Sequence, residues 1–283
     1  MIRWKPLQTT DLPFIHQVLE AAARQGSEYT LCRLFDAAVQ PVSLEDPAAF
    51  RLLGISEAVP DTFTIRFGKE DAYLFPAGRH SRALTDELLQ NGGEDLTLRG
   101  LTDFDARLAE YWFPGAFAFA EETGAADACC HIEYLAAMDG SRYEALRGSL
   151  GALDRIFPSR HLAVQPDGQQ PGVWALTLCA EGADGSIQLA SGRAELRPAA
   201  ETAFLLDLHS VPMQRQAADP QPIRGAEADL IRRAAACILE NHPGFSYIDL
   251  GPASGFTGLQ SRPADYFPDM TIRKIIARRA SGR

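Results

Sequence analysis

The sequence predicts an α+β protein in two successive halves, residues 1–164 and 173–283. Two observations lead there. In each half, antiparallel strands are followed by a glycine-opened helix and further strands, so strands and helices do not alternate as β-α-β units. Between the halves, Gln165-Pro-Asp-Gly-Gln-Gln-Pro-Gly172 is rich in proline, glycine and glutamine and reads as a linker.

The elements follow in order. Thr9-Thr-Asp-Leu-Pro13 carries a capping hydroxyl, an acid and an early proline, and predicts a helix over 14–25 that stops at Gly26. Ser27-Glu-Tyr-Thr30 caps a second helix through Leu31, Leu34 and Phe35. Residues 61–67 alternate with period two, and a turn at Gly68 leads into a strand over 72–75, which makes a β-hairpin. Helices are expected over 81–90 and 103–112, with a strand over 95–100 between them. A helix over 141–156 ends before Pro158. The second half offers strands over 173–180, 186–190 and 202–209. A long helix over 225–240 places Leu230, Ala234, Cys237 and Ile238 on one face. A strand over 245–250 runs into a glycine-rich loop expected to open a short helix. A final strand over 271–277 closes the chain.

Bulk properties narrow the function. The chain has 283 residues, 46% of them hydrophobic, enough for one large core or two ordinary ones. No window approaches the roughly 18 apolar residues of a membrane span. Met1-Ile-Arg-Trp-Lys5 lacks the apolar stretch of a secretory signal, and the five cysteines form no C-x-x-C pair, so a cytoplasmic protein with reduced thiols is expected. A net charge of -10 speaks against a broad nucleic-acid surface. The one exception is the tail with Arg273, Lys274, Arg278, Arg279 and Arg283, readable as a solubilising end or as a phosphate-contacting patch. Cys129-Cys130-His131 invites a metal reading, but adjacent cysteines do not suit one zinc ion. They read better as buried small hydrophobes, and no metal site is expected. Walker, G-x-S-x-G and H-E-x-x-H motifs are absent.

Several blocks in order carry a resemblance. They are Ser27-Glu28 with Leu34-Phe35, then Tyr73-Leu-Phe-Pro-Ala-Gly78. Asp127, Glu133, Leu135, Gly140, Tyr143 and Arg147 form a central block, and Tyr247, Gly255, Gly258, Leu259, Tyr266 and Pro268 a closing one. Together they resemble the phosphatidylglycerol lysyltransferase C-terminal-domain family over nearly the whole chain. Departures are visible too. Leu146 and Gly148 flank Arg147 where the family carries Lys and Asn, and Ser141-Arg142 stands for its Lys-Lys. Asp249, Gly251, Ala253, Gln260 and Ser261 stand where its closing loop usually carries Asn, Glu, Asp, Arg and Lys.

The resemblance implies two tandem GNAT-like domains, that is, acyl-CoA N-acyltransferase-like mixed sheets flanked by helices. It implies transfer of an aminoacyl group from aminoacyl-tRNA to an amine or hydroxyl on a small-molecule acceptor, with no tightly bound cofactor and with tRNA as a partner. Acyl-CoA is the alternative donor. The lost charged lining also leaves open a non-catalytic binding module on the same scaffold.

Candidate residues follow. Asp207 and His209 lie two apart on one strand face, where His209 would act as base and Asp207 would orient it. Arg147 with Tyr143 one turn earlier would clamp a phosphate or carboxylate, and Glu133 belongs to the same block. Arg224 and Gly225 open the long helix, where donor phosphates sit in a GNAT fold. There the longer coenzyme A glycine pattern is missing, and Glu227 and Asp229 in the first turn would repel a phosphate. Gly78-Arg79-His80 opens a helix in the first half in the same way. Asp249 either caps the glycine-loop amides or faces a cleft, and Tyr266 either offers its hydroxyl there or packs its ring. The C-terminal copy is expected to be the functional one.

Overall fold

The computed structural model describes residues 1–22, 25–39, 51–68, 71–168, 170, 172–182, 185–211, 223–252 and 263–280. The expected glycine-rich loop, with Ala253, Gly255, Gly258, Leu259, Gln260 and Ser261, lies outside the described residues.

In chain order the elements are β1 (Ile2–Pro6), α1 (Leu12–Ala22), α2 (Leu31–Val39), β2 (Arg51–Ser56), β3 (Val59–Phe67), β4 (Ala72–Leu74), β5 (Ala77–Gly78), α3 (Ser81–Asn91), β6 (Thr97–Leu101), α4 (Asp103–Trp112) and β7 (Phe117–Glu121). Then come β8 (Asp127–His131), α5 (Ile132–Ala137), α6 (Glu144–Ile156), β9 (Arg160–Pro166), β10 (Val173–Gly182), β11 (Gly185–Arg197), β12 (Thr202–Ser210), α7 (Ala226–Asn241), β13 (Tyr247–Pro252), β14 (Met270–Ile272) and β15 (Ile275–Arg279). The first helix starts at Leu12, two residues before the expected 14, whereas α2 and α4 start where they were expected. Thr102 accepts the Asp105 amide at 3.2 Å while Asp105 accepts the Thr102 amide at 3.1 Å, a capping box that starts α4 where it was expected.

The chain forms two compact units, residues 1–126 with 272–283, and residues 127–271. The first holds a sheet of order β1-β2-β3-β4-β6-β15-β7 with β5 on β3, and the second a sheet of order β14-β8-β13-β12-β11-β10-β9. This corrects the expected boundary between 164 and 173. The segment 165–172 is no linker: β9 and β10 pair antiparallel from Trp174↔Pro166 to Ala180↔Arg160, and the turn between them closes a hairpin. Turn residues look alike in a hairpin and a linker; the pairing that separates them is tertiary.

The expected strand over 271–277 is also two. β14 belongs to the second sheet and β15 to the first, with Arg273 and Lys274 between them. These residues answer acids of the first unit. Arg273 pairs with Asp103 at 3.0 Å, and the fully buried Lys274 pairs with Glu28. Arg279 donates to the Gly92 carbonyl at 3.1 Å. The basic tail is thus mostly engaged by its own unit rather than held ready as a phosphate patch; Arg278 is exposed, and Arg283 lies outside the described residues.

Both units are GNAT-like. In the first, β4 and β6 run parallel for Ala72–Leu74 against Thr97–Arg99 with α3 as crossover, and between β4 and α3 the chain turns to β3 through β5. In the second, β12 and β13 run parallel for Thr202–Phe204 against Tyr247–Asp249 with α7 as crossover. Past that point a bulge at Ser191/Arg193 keeps β12 on β11, while β13 stays with β8 through a second bulge. The two parallel strands therefore part. Among the described residues, no helix is long and apolar enough to cross a membrane.

The cysteines divide cleanly. Cys32, Cys129 and Cys130 are buried, and burial pushes the Cys130 thiol up to about 12, with Asp269 adding to the shift. A titration of native thiols with an aromatic disulfide at pH 8 should modify Cys179 and Cys237 alone. Rapid reaction of a third thiol before unfolding would contradict this packing.

Candidate functional site

The C-terminal unit holds a cavity of about 560 Å³ where α6 meets the start of α7. This size falls within the roughly 300–1,000 Å³ of small-ligand pockets. Arg142, Leu146 and Ser149 supply one wall, Arg224, Gly225 and Glu227 the next, and Asp265 with Phe267 the rim.

Gly225 makes the junction possible. Its φ is +83°, and an added Cβ would lie 2.8 Å from the Ser149 carbonyl oxygen and 3.3 Å from the Leu150 amide nitrogen. Only a residue without a side chain lets the backbones of α6 and α7 approach this closely. Arg224, one step earlier, is exposed on the cavity and has no ion pair among the described residues.

The start of α7 is acidic. Glu227 is buried and accepts the Ser210 hydroxyl at 2.8 Å. Asp229 is wholly buried and accepts from Arg160 at 2.8 Å, Arg232 at 2.8 Å and Arg233 at 2.9 Å. Burial alone would raise the Asp229 pKa; the three guanidinium hydrogen bonds outweigh it and hold the carboxyl below its usual range. The positive end of the α7 dipole is thus already answered by two carboxylates. Asp229 is offset by its three arginines, so Glu227 is the carboxylate of this turn that faces the cavity; a pyrophosphate beside it would meet like charge, whereas an ammonium group would be welcome.

Arg142 occupies the opposite wall. Its guanidinium lies 4.4 Å from the Tyr134 ring centre and 4.8 Å from that of Tyr143, and it pairs with Asp269 at 3.3 Å. Tyr143 is buried behind it, and burial pushes its phenol up to about 12.

Of the expected residues, the structure brings Arg224 and Gly225 to the cavity and sets Tyr143 just behind it. The others stand elsewhere. Asp207 and His209 do share a strand face, but it is an exposed one. Asp207 sits in the β12 bulge at φ +50° and is bound to Arg193, so it does not orient His209. Arg147 is exposed and donates to the Met138 carbonyl at 3.3 Å and to that of Gly140. It ties down the end of α5, where Met138 adopts φ +44°, and clamps no open site. Glu133 is exposed in the first turn of α5, away from the cavity lining. Asp249 is buried, and its carboxylate accepts the Gly251 amide at 2.7 Å near the end of β13. Tyr266 is fully buried, packed in the hydrophobic core, and its carbonyl receives the Cys130 thiol at 3.7 Å. Sequence reasoning overlooked Arg142, Asp265 and Phe267. Two of them had a visible signal: Arg142 precedes Tyr143 in the central block, and Phe267 stands in the aromatic-proline step.

No family model matches the sequence, and no curated protein matches it. Solved structures do. A conserved protein of unknown function from Bacteroides thetaiotaomicron aligns with a TM-score of 0.76 at 16% identity, covering 99% of this chain and 100% of that one. The C-terminal domain of a protein described as a lysylphosphatidylglycerol synthetase of Agrobacterium fabrum aligns at 0.66 and 13% identity, covering 97% and 93%. L-PGS from Bacillus licheniformis aligns at 0.60 and 13% identity, covering 82% and 84%.

The fold is that of the lysylphosphatidylglycerol synthetase C-terminal domain. At these identities the likeness speaks for the backbone alone. The synthetase-type fold supplies the parted parallel strands and the α7 crossover.

Proposed function

We propose that the C-terminal unit is an aminoacyl transferase that takes its group from aminoacyl-tRNA and passes it to an amine or hydroxyl of a small acceptor. The acidic start of α7 carries this reading. An aminoacyl ester brings a cationic α-ammonium close to an anionic phosphate chain. Glu227 and Asp265 suit the first, and Arg224 suits the second. Acyl-CoA has the phosphates without the ammonium, so the carboxylates at this helix start count against it.

The chemistry asks little of side-chain acids and bases. The acceptor nitrogen or oxygen attacks the ester carbonyl, the new C–N or C–O bond forms, and the ester C–O bond breaks. The terminal ribose hydroxyl leaves with the proton the acceptor gives up. The ester is already activated, so holding the two reactants in line provides most of the acceleration. This agrees with the absence of Asp207, His209 and Tyr266 from the cavity lining.

A single-turnover assay with mixed aminoacyl-tRNAs, acyl-CoAs and small amines tests it. Wild type should release aminoacyl groups to the acceptors. Arg224→Ala should raise KM for the donor about tenfold, the size of one lost charge-assisted hydrogen bond. Glu227→Gln keeps the shape and the Ser210 partner yet should lower kcat/KM by a similar factor. If no aminoacyl group leaves any tRNA, the reading fails.

One observation favours acyl-CoA, and it lies in the other unit. The first turn of α3 holds no acid, and a cavity of about 660 Å³ is lined there by Gly78, Arg79 and Asp61. Turnover of acyl-CoA that Arg79→Ala abolishes and Arg224→Ala leaves intact would move the activity to the N-terminal unit.

A further inference from the structure

Arg142 and Phe267 line the α6–α7 cavity, and Arg142 joins them to Tyr134 on α5. Phe267 is 46% exposed and Tyr134 44% exposed, although both are large aromatics. Arg142 lies over the Tyr134 ring at 4.4 Å and over the Tyr143 ring at 4.8 Å. The Phe267 ring in turn meets Tyr143 edge to face at 6.0 Å, so the four side chains form one continuous array. Its members come from α5, from the turn before α6 and from the segment after residue 266.

The backbone marks the same place. Phe267 has φ +51°, a left-handed conformation that an aromatic residue adopts only at a cost. Pro268 follows it and narrows the conformations open to it further. The buried Tyr266 on one side and Asp269 on the other hold it there, Asp269 being fixed by the His131 amide at 2.8 Å and by Arg142 at 3.3 Å. A strained backbone that points an apolar ring into solvent, beside a lined cavity, is a feature that a flat ligand would complete.

We infer that Phe267, Tyr134 and Arg142 form a stacking platform for the unpaired terminal bases of the donor RNA. The inference rests on the aminoacyl-transfer reading and deepens it. Aromatic rings and guanidinium planes are the surfaces on which single-stranded bases stack, and Arg224 across the cavity offers the accompanying cation for a backbone phosphate. Charge complementarity also sets the extent. A chain of net charge -10 does not embrace a whole tRNA, but one aromatic platform with two arginines holds a single-stranded end of a few nucleotides. The lining matches a nucleotide better than an apolar chain, because charged residues face the cavity beside the rings.

The test separates the platform from the reaction. A fluorescent single-stranded RNA hexamer ending in CCA is titrated against the full chain, with a hairpin lacking the free end and phosphatidylglycerol vesicles as competitors. The expected result is saturable binding of the hexamer, displaced by neither competitor. Phe267→Leu, which keeps apolar bulk without a π face, should weaken it about tenfold, and Phe267→Tyr should restore it. Should a Phe267 variant fail to fold by circular dichroism, Tyr134→Ala on exposed α5 reads the same platform and should weaken binding severalfold. Absence of hexamer binding by wild type overturns the inference, as do equal affinities of wild type, Phe267→Leu and Tyr134→Ala, or displacement by vesicles. If aminoacyl transfer occurs while those affinities stay equal, the platform falls and the transferase stands. If the hexamer binds as expected while no donor is turned over, the transferase falls and the platform remains a single-strand site.

Discussion

Asp229→Ala should destabilise the C-terminal unit by about 3–5 kcal/mol, more than a change at Gly225. The carboxylate is wholly buried and holds three guanidinium groups. Arg160 is the critical one, since its side chain is 2% exposed and its remaining acidic partner is Asp154 at 2.5 Å. Without Asp229, a buried cation loses half of its compensation and cannot swing out to water. Arg232 and Arg233 are about one-third exposed and would recover much of their hydration. Urea unfolding of the two proteins at pH 7 measures the difference; a loss below 1 kcal/mol would mean that water already solvates Arg160.

The same carboxyl sets an acid dependence. Its folded pKa lies below the usual carboxylate value, so as pH falls the unfolded chain takes up the proton first. The stability it contributes is complete above about pH 4 and is lost as pH falls through the depressed folded value. Asp229→Asn removes the titrating group while keeping the shape. Its unfolding free energy should therefore fall less steeply than wild type below pH 4. Parallel curves would place the acid sensitivity elsewhere.

Gly225→Ala is the second large effect, at about 2–4 kcal/mol. Part is the left-handed backbone, which costs a residue with a Cβ about 1–2 kcal/mol. The rest is contact: the new methyl would lie 2.8 Å from the Ser149 oxygen and 2.9 Å from its carbonyl carbon, backbone atoms that no rotamer change can move. The helices must separate, and the cavity they line must widen. Transfer should fall with stability even where most of the protein remains folded. Gly148→Ala and Gly151→Ala are the controls. Both lie within α6, meet nothing within 4 Å and should stabilise by about 0.5–1 kcal/mol. If Gly225→Ala behaves like them in thermal melts, the close approach of α6 and α7 is not required.

Local signals explain which elements were legible. The apolar face of Leu230, Ala234 and Ile238 announced α7, because such a signal acts within a few residues. The strands β1, β2, β7, β8 and β9 escaped notice. β1 and β9 are mostly exposed, and charged or proline residues break their alternation. β8, Asp-Ala-Cys-Cys-His, is buried along four of its five residues and shows no alternation at all.

The site divides in the same way. Arg224 and Gly225 were found because a glycine before a helix has a local conformational meaning. Arg147 was misread because its partners, the Met138 and Gly140 carbonyls, belong to the end of another helix. Asp207 and His209 were correctly placed on one strand face, yet nothing local tells which face a sheet turns to solvent.

By itself, then, the order of residues determined the α+β class, the glycine-opened crossover and an acidic helix start unsuited to pyrophosphate, since each depends on neighbours along the chain. Which sheet claims β15, where one unit stops and the next begins, and that Arg142, Glu227, Asp265 and Phe267 surround one cavity were decided only in three dimensions. Those facts are contacts between residues far apart in sequence, Arg278 with Thr97 or Phe267 with Arg142, and no propensity or period carries information over such a separation.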